Sequence, residues 1–152
     1  MSALTIHSSS EELTVFVVND SDNTITDALG SSGYSISNIK GSCSSVMKTI
    51  EESLPDLVVT CVGKTGKFGT ILCREMKNRR QTRAIPVVFV AKEGDSNGST
   101  TAFVYGCIDY VQQDDKNIKE KISRYTKMGK MEKSLKRLRD RYDNNSELKE
   151  GL

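Results

Sequence analysis

The sequence predicts an α/β fold: five parallel strands covered by helices on both faces, followed by a C-terminal helical extension. Three observations predict it. Short β-branched apolar runs recur at wide intervals, segments with helical spacing separate them, and from Asp115 onward the apolar residues step by threes and fours. The runs are Thr14–Val18, a weaker Tyr34–Ile39, Leu57–Cys61, Val87–Ala91 and Ile108–Val111, each of strand rather than helix length. Three are apolar throughout instead of alternating, as suits strands covered on both faces.

The helices follow in order. Thr24–Leu29 sets Ile25, Ala28 and Leu29 on one face. Val46, Met47, Ile50 and Leu54 form the second stripe, ended by Pro55, and Phe68, Ile71, Leu72 and Met76 form the third. The stretch from Lys92 to Thr101 is rich in Gly, Ser, Asp and Asn, so only Ala102–Tyr105 suits a helix, and a short or mobile fourth helix behind a long loop is expected. In the last segment Ile118, Ile122 and Tyr125 step by four and three, and Met131, Leu135, Leu138 and Tyr142 form a heptad seam. The two series slip against each other at Met128-Gly129, where glycine weakens a helix by ~1 kcal/mol relative to alanine. The expectation is a domain helix running through a soft joint into a protruding amphipathic helix; a solvated, frayed tail is the alternative. The expected division is a disordered leader at 1–12, a domain at 13–126, a helical or coiled-coil extension at 127–143 and a disordered tail at 144–152.

Composition narrows the function. The 152 residues are 36% hydrophobic and 28% charged, ordinary for one globular domain. No apolar stretch is long enough to cross a bilayer and no signal region opens the chain, so a cytoplasmic protein is expected. Cys43, Cys61, Cys73 and Cys107 form no CxxC pair, and His7 is the one histidine, so a zinc cluster or Cys/His catalysis lacks its ligands. No enzyme activity, metal or cofactor is expected. Residues 116–152 carry twelve Lys/Arg against six Asp/Glu and the preceding residues ten against fourteen, giving an acidic globule with a basic helical tail.

In an open parallel sheet, chemistry gathers at the carboxyl ends of the strands. The strand boundaries put Asn19 and Asp20, Cys61, Ala91 and Lys92, and Gln112 to Asp114 there. A nucleotide or flavin site wants a turn after the first strand whose backbone N–H groups are free for phosphate. The turn here is Asn19-Asp20-Ser21-Asp22-Asn23, whose carboxylates would repel phosphate.

These residues resemble the response-regulator receiver domain, the phospho-acceptor module of two-component signalling, over about residues 13–126. VFVVNDSDN sits where that family has its first strand and acidic pair, PDLVVTCVGKTGKFGTILCREMKN its third strand and helix, TRAIPVVFVAK its fourth strand and YGCIDYVQQDD its fifth. The resemblance implies a flavodoxin-like, doubly wound sheet of order 2-1-3-4-5. It also implies site positions, and at these the chain departs from the family. The acidic pair falls on Asn19 and Asp20, the phospho-accepting Asp on Cys61, the switch hydroxyl on Ala91, the Lys on Gln113 and the following Pro on Asp114. In the family, carboxylate-held Mg²⁺ bridges the phosphoryl group while the ammonium and hydroxyl stabilise it, chemistry that depends on charge neutralisation. With one carboxylate of three and neither of the other groups, a pseudo-receiver is expected that keeps the fold and lacks the chemistry. An ammonium from Lys92 would replace the missing one without restoring an acceptor.

Tyr110 matches the aromatic whose rotation reports phosphorylation in the family; it is read either as part of a binding face or as a partly buried core aromatic. The family's usual contact face falls on Phe103, Val104, Tyr105, Tyr110 and the outer side of 116–126. The resulting expectation is a phosphorylation-independent interaction and dimerisation module for a protein partner or output domain, with Met131, Leu135, Leu138 and Tyr142 as further contacts and no membrane involved. Two alternatives stand beside it. One is a small-ligand or redox sensor in the vacated pocket, with Cys61 as its thiol and Asp20 opposing thiolate formation. The other is nucleic-acid binding through Lys127–Arg141, which is not favoured because no base-reading fold accompanies the charge.

Overall fold

The structure, a computed structural model, describes residues 12–30, 33–63, 67–92 and 98–150. All of the expected leader except Glu12, His7 included, and most of the loop after Lys92 lie outside these residues. Among the described residues the chain runs β1 (Thr14–Val18), α1 (Thr24–Leu29), β2 (Ser35–Ile39), α2 (Cys43–Ser53), β3 (Leu57–Val62), α3 (Lys67–Lys77), β4 (Val87–Ala91), α4 (Gly98–Val104), β5 (Asp109–Gln112) and α5 (Ile118–Glu150). The strands form one parallel sheet of order β2-β1-β3-β4-β5, as expected.

The side-chain period of two divides the sheet between two cores. Phe16, Val18, Val58, Phe89 and Ala91 face α2, α3 and α4, where Val46, Met47, Ile50, Leu72, Cys73, Met76 and Ala102 complete one layer. Val15, Val17, Leu57, Val59, Cys61, Val88, Val90 and Val111 face α1 and α5, meeting Ile25, Leu29, Ile118 and Ile122. Because β3 and β4 are central, all their residues are buried, and this explains their apolar runs, which only Thr60 of β3 interrupts.

Local signals set the helix ends. Ser42 caps α2, its Oγ accepting from Ser45 N at 3.3 Å. Leu54, counted by its spacing in the α2 stripe, instead leaves the helix in the left-handed region (φ 48°) and is exposed. The Pro55 that follows cannot continue a helix, so the turn falls on Leu54. α4 is short, as expected, but begins at Gly98, earlier than Ala102.

α5 corrects two expectations. Helical backbone continues to Glu150, past the end expected at 143, through the helix formers Glu147, Leu148, Lys149 and Glu150. Gly129 is not a soft joint either. It is buried inside an unbroken helix, where a Cβ would lie 1.7 Å from the Asp56 carbonyl oxygen and 3.2 Å from Pro86 Cδ. The slip in the heptad marks the turn where the helix backbone meets the chain entering β3. Beyond it Lys133 Nζ donates to the Leu54 carbonyl at 2.7 Å and lies 2.9 Å from Asp56 Oδ1, which makes no hydrogen bond. Asp56 is buried, and its other oxygen accepts from Thr14 N at 2.9 Å. No helix among the described residues is long and apolar enough to cross a membrane.

Candidate functional site

The carboxyl ends of β1, β3, β4 and β5 converge on a cleft of about 370 Å³ lined by Asn19, Ser21, Asp22, Cys61, Val62, Gly63, Lys92 and Gln113. The hydrophobic strands stop here because the backbone turns. Asn19, directly after β1, takes a left-handed conformation (φ 56°), which asparagine tolerates better than most residues. Its N–H still donates to Ile39 O at 2.8 Å, extending the ladder to β2, and its Oδ1 accepts from Gly41 N at 3.2 Å.

Asp20 is fully buried. Its Oδ2 accepts from Thr26 N at 2.8 Å and Thr26 Oγ1 at 2.9 Å, and its Oδ1 is paired with the Lys92 ammonium. The same ammonium pairs with Asp22 Oδ1. Hydrogen bonds from Lys92 and then Thr24 hold the Asp22 carboxyl well below the usual carboxylate range. Burial works against the Lys92 charge, but the hydrogen bonds to Asp20 and Asp22 outweigh it and raise its pKa. Asn38 ties the loop to β2, its Nδ2 donating to Asp20 O at 2.8 Å and Asn23 Oδ1 at 2.6 Å.

Cys61 lies beneath this cluster, 9% exposed. Burial, and then the neighbouring charges of Asp20 and Asp22, push its thiol up to about 12, with Lys92 opposing. The sulfur is therefore a protonated small hydrophobe at neutral pH, which argues against a reactive thiolate. Ala91 is buried on the opposite face of the sheet, and Gln113 holds the end of β4 rather than the cleft centre, its Nε2 donating to Lys92 O at 3.0 Å.

The structure thus brings Asn19, Asp20, Cys61 and Gln113 to one end of the sheet with Lys92 among them. Asp22 and Thr26 were not singled out as site residues, although the acidic run Asn19–Asn23 signals the first. Tyr110 is half-buried, its ring centroid 6.1 Å from that of Phe89. On α4, Phe103 and Val104 are exposed, while Tyr105 is half-buried and its carbonyl accepts from Cys73 Sγ at 3.3 Å. Met131, Leu135, Leu138 and Tyr142 stand together on α5, each between 48% and 72% exposed. They occupy the side of the helix opposite Gly129 and Lys133, turned away from the sheet. No group of three or more His, Cys, Asp or Glu suited to a metal occurs among the described residues.

No protein-family model matches the sequence, and no curated protein matches it. Solved structures do match in fold. The receiver domain of a signal transduction histidine kinase from Syntrophus aciditrophicus aligns at a TM-score of 0.62 and 20% identity, over 77% of this chain and 89% of its own. A CheY-like response regulator receiver domain protein from Methanospirillum hungatei aligns at 0.63 and 18%, over 80% and 99%. A response regulator from Desulfuromonas acetoxidans aligns at 0.59 and 20%, over 76% and 98%. The five-stranded order, the helices on both faces and these neighbours together make this the flavodoxin-like fold of response-regulator receiver domains.

Proposed function

We propose that this chain is a pseudo-receiver, a phosphorylation-independent interaction and dimerisation module in two-component signalling. One observation carries the reading: α5 presents an apolar heptad seam to solvent on its side turned away from the sheet. Buried Cys61 further counts, on this reading, as the counterpart of the family's acceptor carboxylate, which leaves no group there to take a phosphoryl. With Met128 and Leu135 at a positions and Met131 and Leu138 at d, Tyr142 falls at the next a. Lys127 then falls at g and Glu132 at the following e, facing each other with opposite charge in a parallel pair. Ala91, without a hydroxyl, and Gln113, without a charge, support the same reading, since phosphoryl transfer works by positioned opposite charge.

Two measurements test it. Incubation with radiolabelled acetyl phosphate leaves no label on the chain, and its sedimentation is unchanged by acetyl phosphate, Mg²⁺ or beryllofluoride. Leu135→Glu with Tyr142→Glu lowers self-association. Retained label would overturn the first half, and a monomeric parent the second.

The polar cleft supports a second reading, a site for a small polar ligand. Thermal-shift screening against nucleotides and small acids, with Cys61→Ser as control, separates the two. A specific upward shift favours the ligand reading.

A further inference from the structure

The receiver fold implies a divalent cation at the carboxyl ends of the strands, and the residues here do not fit one. Mg²⁺ is a hard ion that demands near-ideal octahedral oxygen ligation, usually through one or two carboxylates. The buried carboxylate, Asp20, has no oxygen to spare: Thr26 takes one twice over and the Lys92 ammonium takes the other. Asp22 spends its Oδ1 on the same ammonium, and Asn19 turns its Oδ1 to Gly41 N. The third strand contributes sulfur, a poor ligand for a hard cation.

We propose that the Lys92 ammonium is the resident cation of this pocket, held between Asp20 and Asp22 in the space a dication would need and excluding Mg²⁺ and Mn²⁺ from it. The placement is built rather than incidental. The Lys92 side chain is 17% exposed, against 61% for Asp22. Its backbone is fixed on both sides, its N–H donating to Val62 O at 3.1 Å and its carbonyl accepting from Gln113 Nε2 at 3.0 Å. The side chain therefore starts from a pinned strand end and crosses the cleft from β4 to the loop after β1. A dication entering beside it would meet a fixed positive charge at contact distance, and one replacing it would have to break two ion pairs. The chain thereby carries its own counter-ion, and its two central loops stay tied together whatever the metal content of the medium.

The test is Mn²⁺ titration of the full chain, followed by electron paramagnetic resonance of the free ion, for the parent, Lys92→Met and Lys92→Arg. The parent and Lys92→Arg show no saturable binding. Lys92→Met gains it, saturating at a Mn²⁺ concentration at least about tenfold below the highest at which the parent shows none, as expected for removal of a unit charge at contact distance, and adding Asp20→Asn abolishes the gain. Saturable binding to the parent, or a folded Lys92→Met that gains none, overturns the inference. Should Lys92→Met fail to fold, the parent decides: its Lys92 ammonium protons give a slowly exchanging NMR signal that Mg²⁺ leaves in place, and loss of that signal on adding Mg²⁺ overturns it. The inference rests on the ion pairs and not on the dimer. Metal binding without retained phosphoryl label would sink it and leave the proposed function standing; retained label would do the reverse.

Discussion

Replacing Gly129 by alanine sets two physical effects against each other. Helix propensity alone favours the change by about 1 kcal/mol, because glycine in a helix interior gives up more backbone entropy. The structure argues the opposite sign. The added Cβ would stand 1.7 Å from the Asp56 carbonyl oxygen and 2.7 Å from its carbon, so the two backbones must separate. The obstacle is main chain at the entry to a fully buried strand, not the tip of a side chain that could swing aside. Overpacking of this kind costs about 1–3 kcal/mol. Lifting the helix also draws Lys133 away from Asp56 and the Leu54 carbonyl, leaving a buried carboxylate short of its cation. After the propensity gain is set against these, Gly129→Ala is expected to lose about 2–3 kcal/mol, a fall in Tm of roughly 5–10 °C for a chain of this size. Urea unfolding followed by circular dichroism measures it, with Ser134→Ala on the exposed side of the same helix as control, expected to gain a few tenths of a kcal/mol. A Gly129→Ala protein as stable as the parent, or more stable, would refute the reasoning.

Other perturbations have equally definite outcomes. Because burial raises the Cys61 thiol to about 12 from the ordinary 9.0, its contribution to stability is whole below pH 9 and is lost as pH rises toward 12. Iodoacetamide at pH 8 should accordingly alkylate Cys61 more than about a hundredfold more slowly in the folded protein than in urea, and equal rates would contradict the assignment. Lys133→Met removes the cation from buried Asp56 and should cost about 1–3 kcal/mol, less than for a fully buried pair because Lys133 is 26% exposed. A double-mutant cycle with Asp56→Asn that returns no coupling would show the contact to be idle.

How much of this could be read from the sequence depended on how local the cause was. The strand runs follow from burial on both faces, a local property of composition, and so β1, β3 and β4 begin where the apolar residues do. The sheet order came through resemblance rather than from any single strand. Leu54 was misplaced because spacing counts apolar residues and does not see that the chain leaves the helix before Pro55, through a left-handed turn at Leu54. Gly129 was misread for a different reason: its neighbour, the Asp56 carbonyl, is far away in sequence, and only the fold brings the two together. At the candidate site, the acidic run after β1 and the Cys61 substitution were plain in the sequence. The ammonium of Lys92 could be expected to enter the cleft, but its choice of Asp20 and Asp22 depends on where the turn aims those carboxylates, and this was not legible.

The continuity of α5 has one more consequence. At 1.5 Å per residue its 33 residues make a rod about 50 Å long, held to the globular body by Gly129 against Asp56, by Lys133 on Asp56 and the Leu54 carbonyl, and by Lys136 on the Arg80 carbonyl at 3.2 Å. These contacts set the azimuth of the apolar seam relative to the globular body. Each residue inserted after Lys136 would swing the part of the seam beyond it, Leu138 and Tyr142, by about 100° about the helix axis. Whatever docks on the rod is thus told which way the body faces, and a twist imposed at one end arrives at the other as a change of direction.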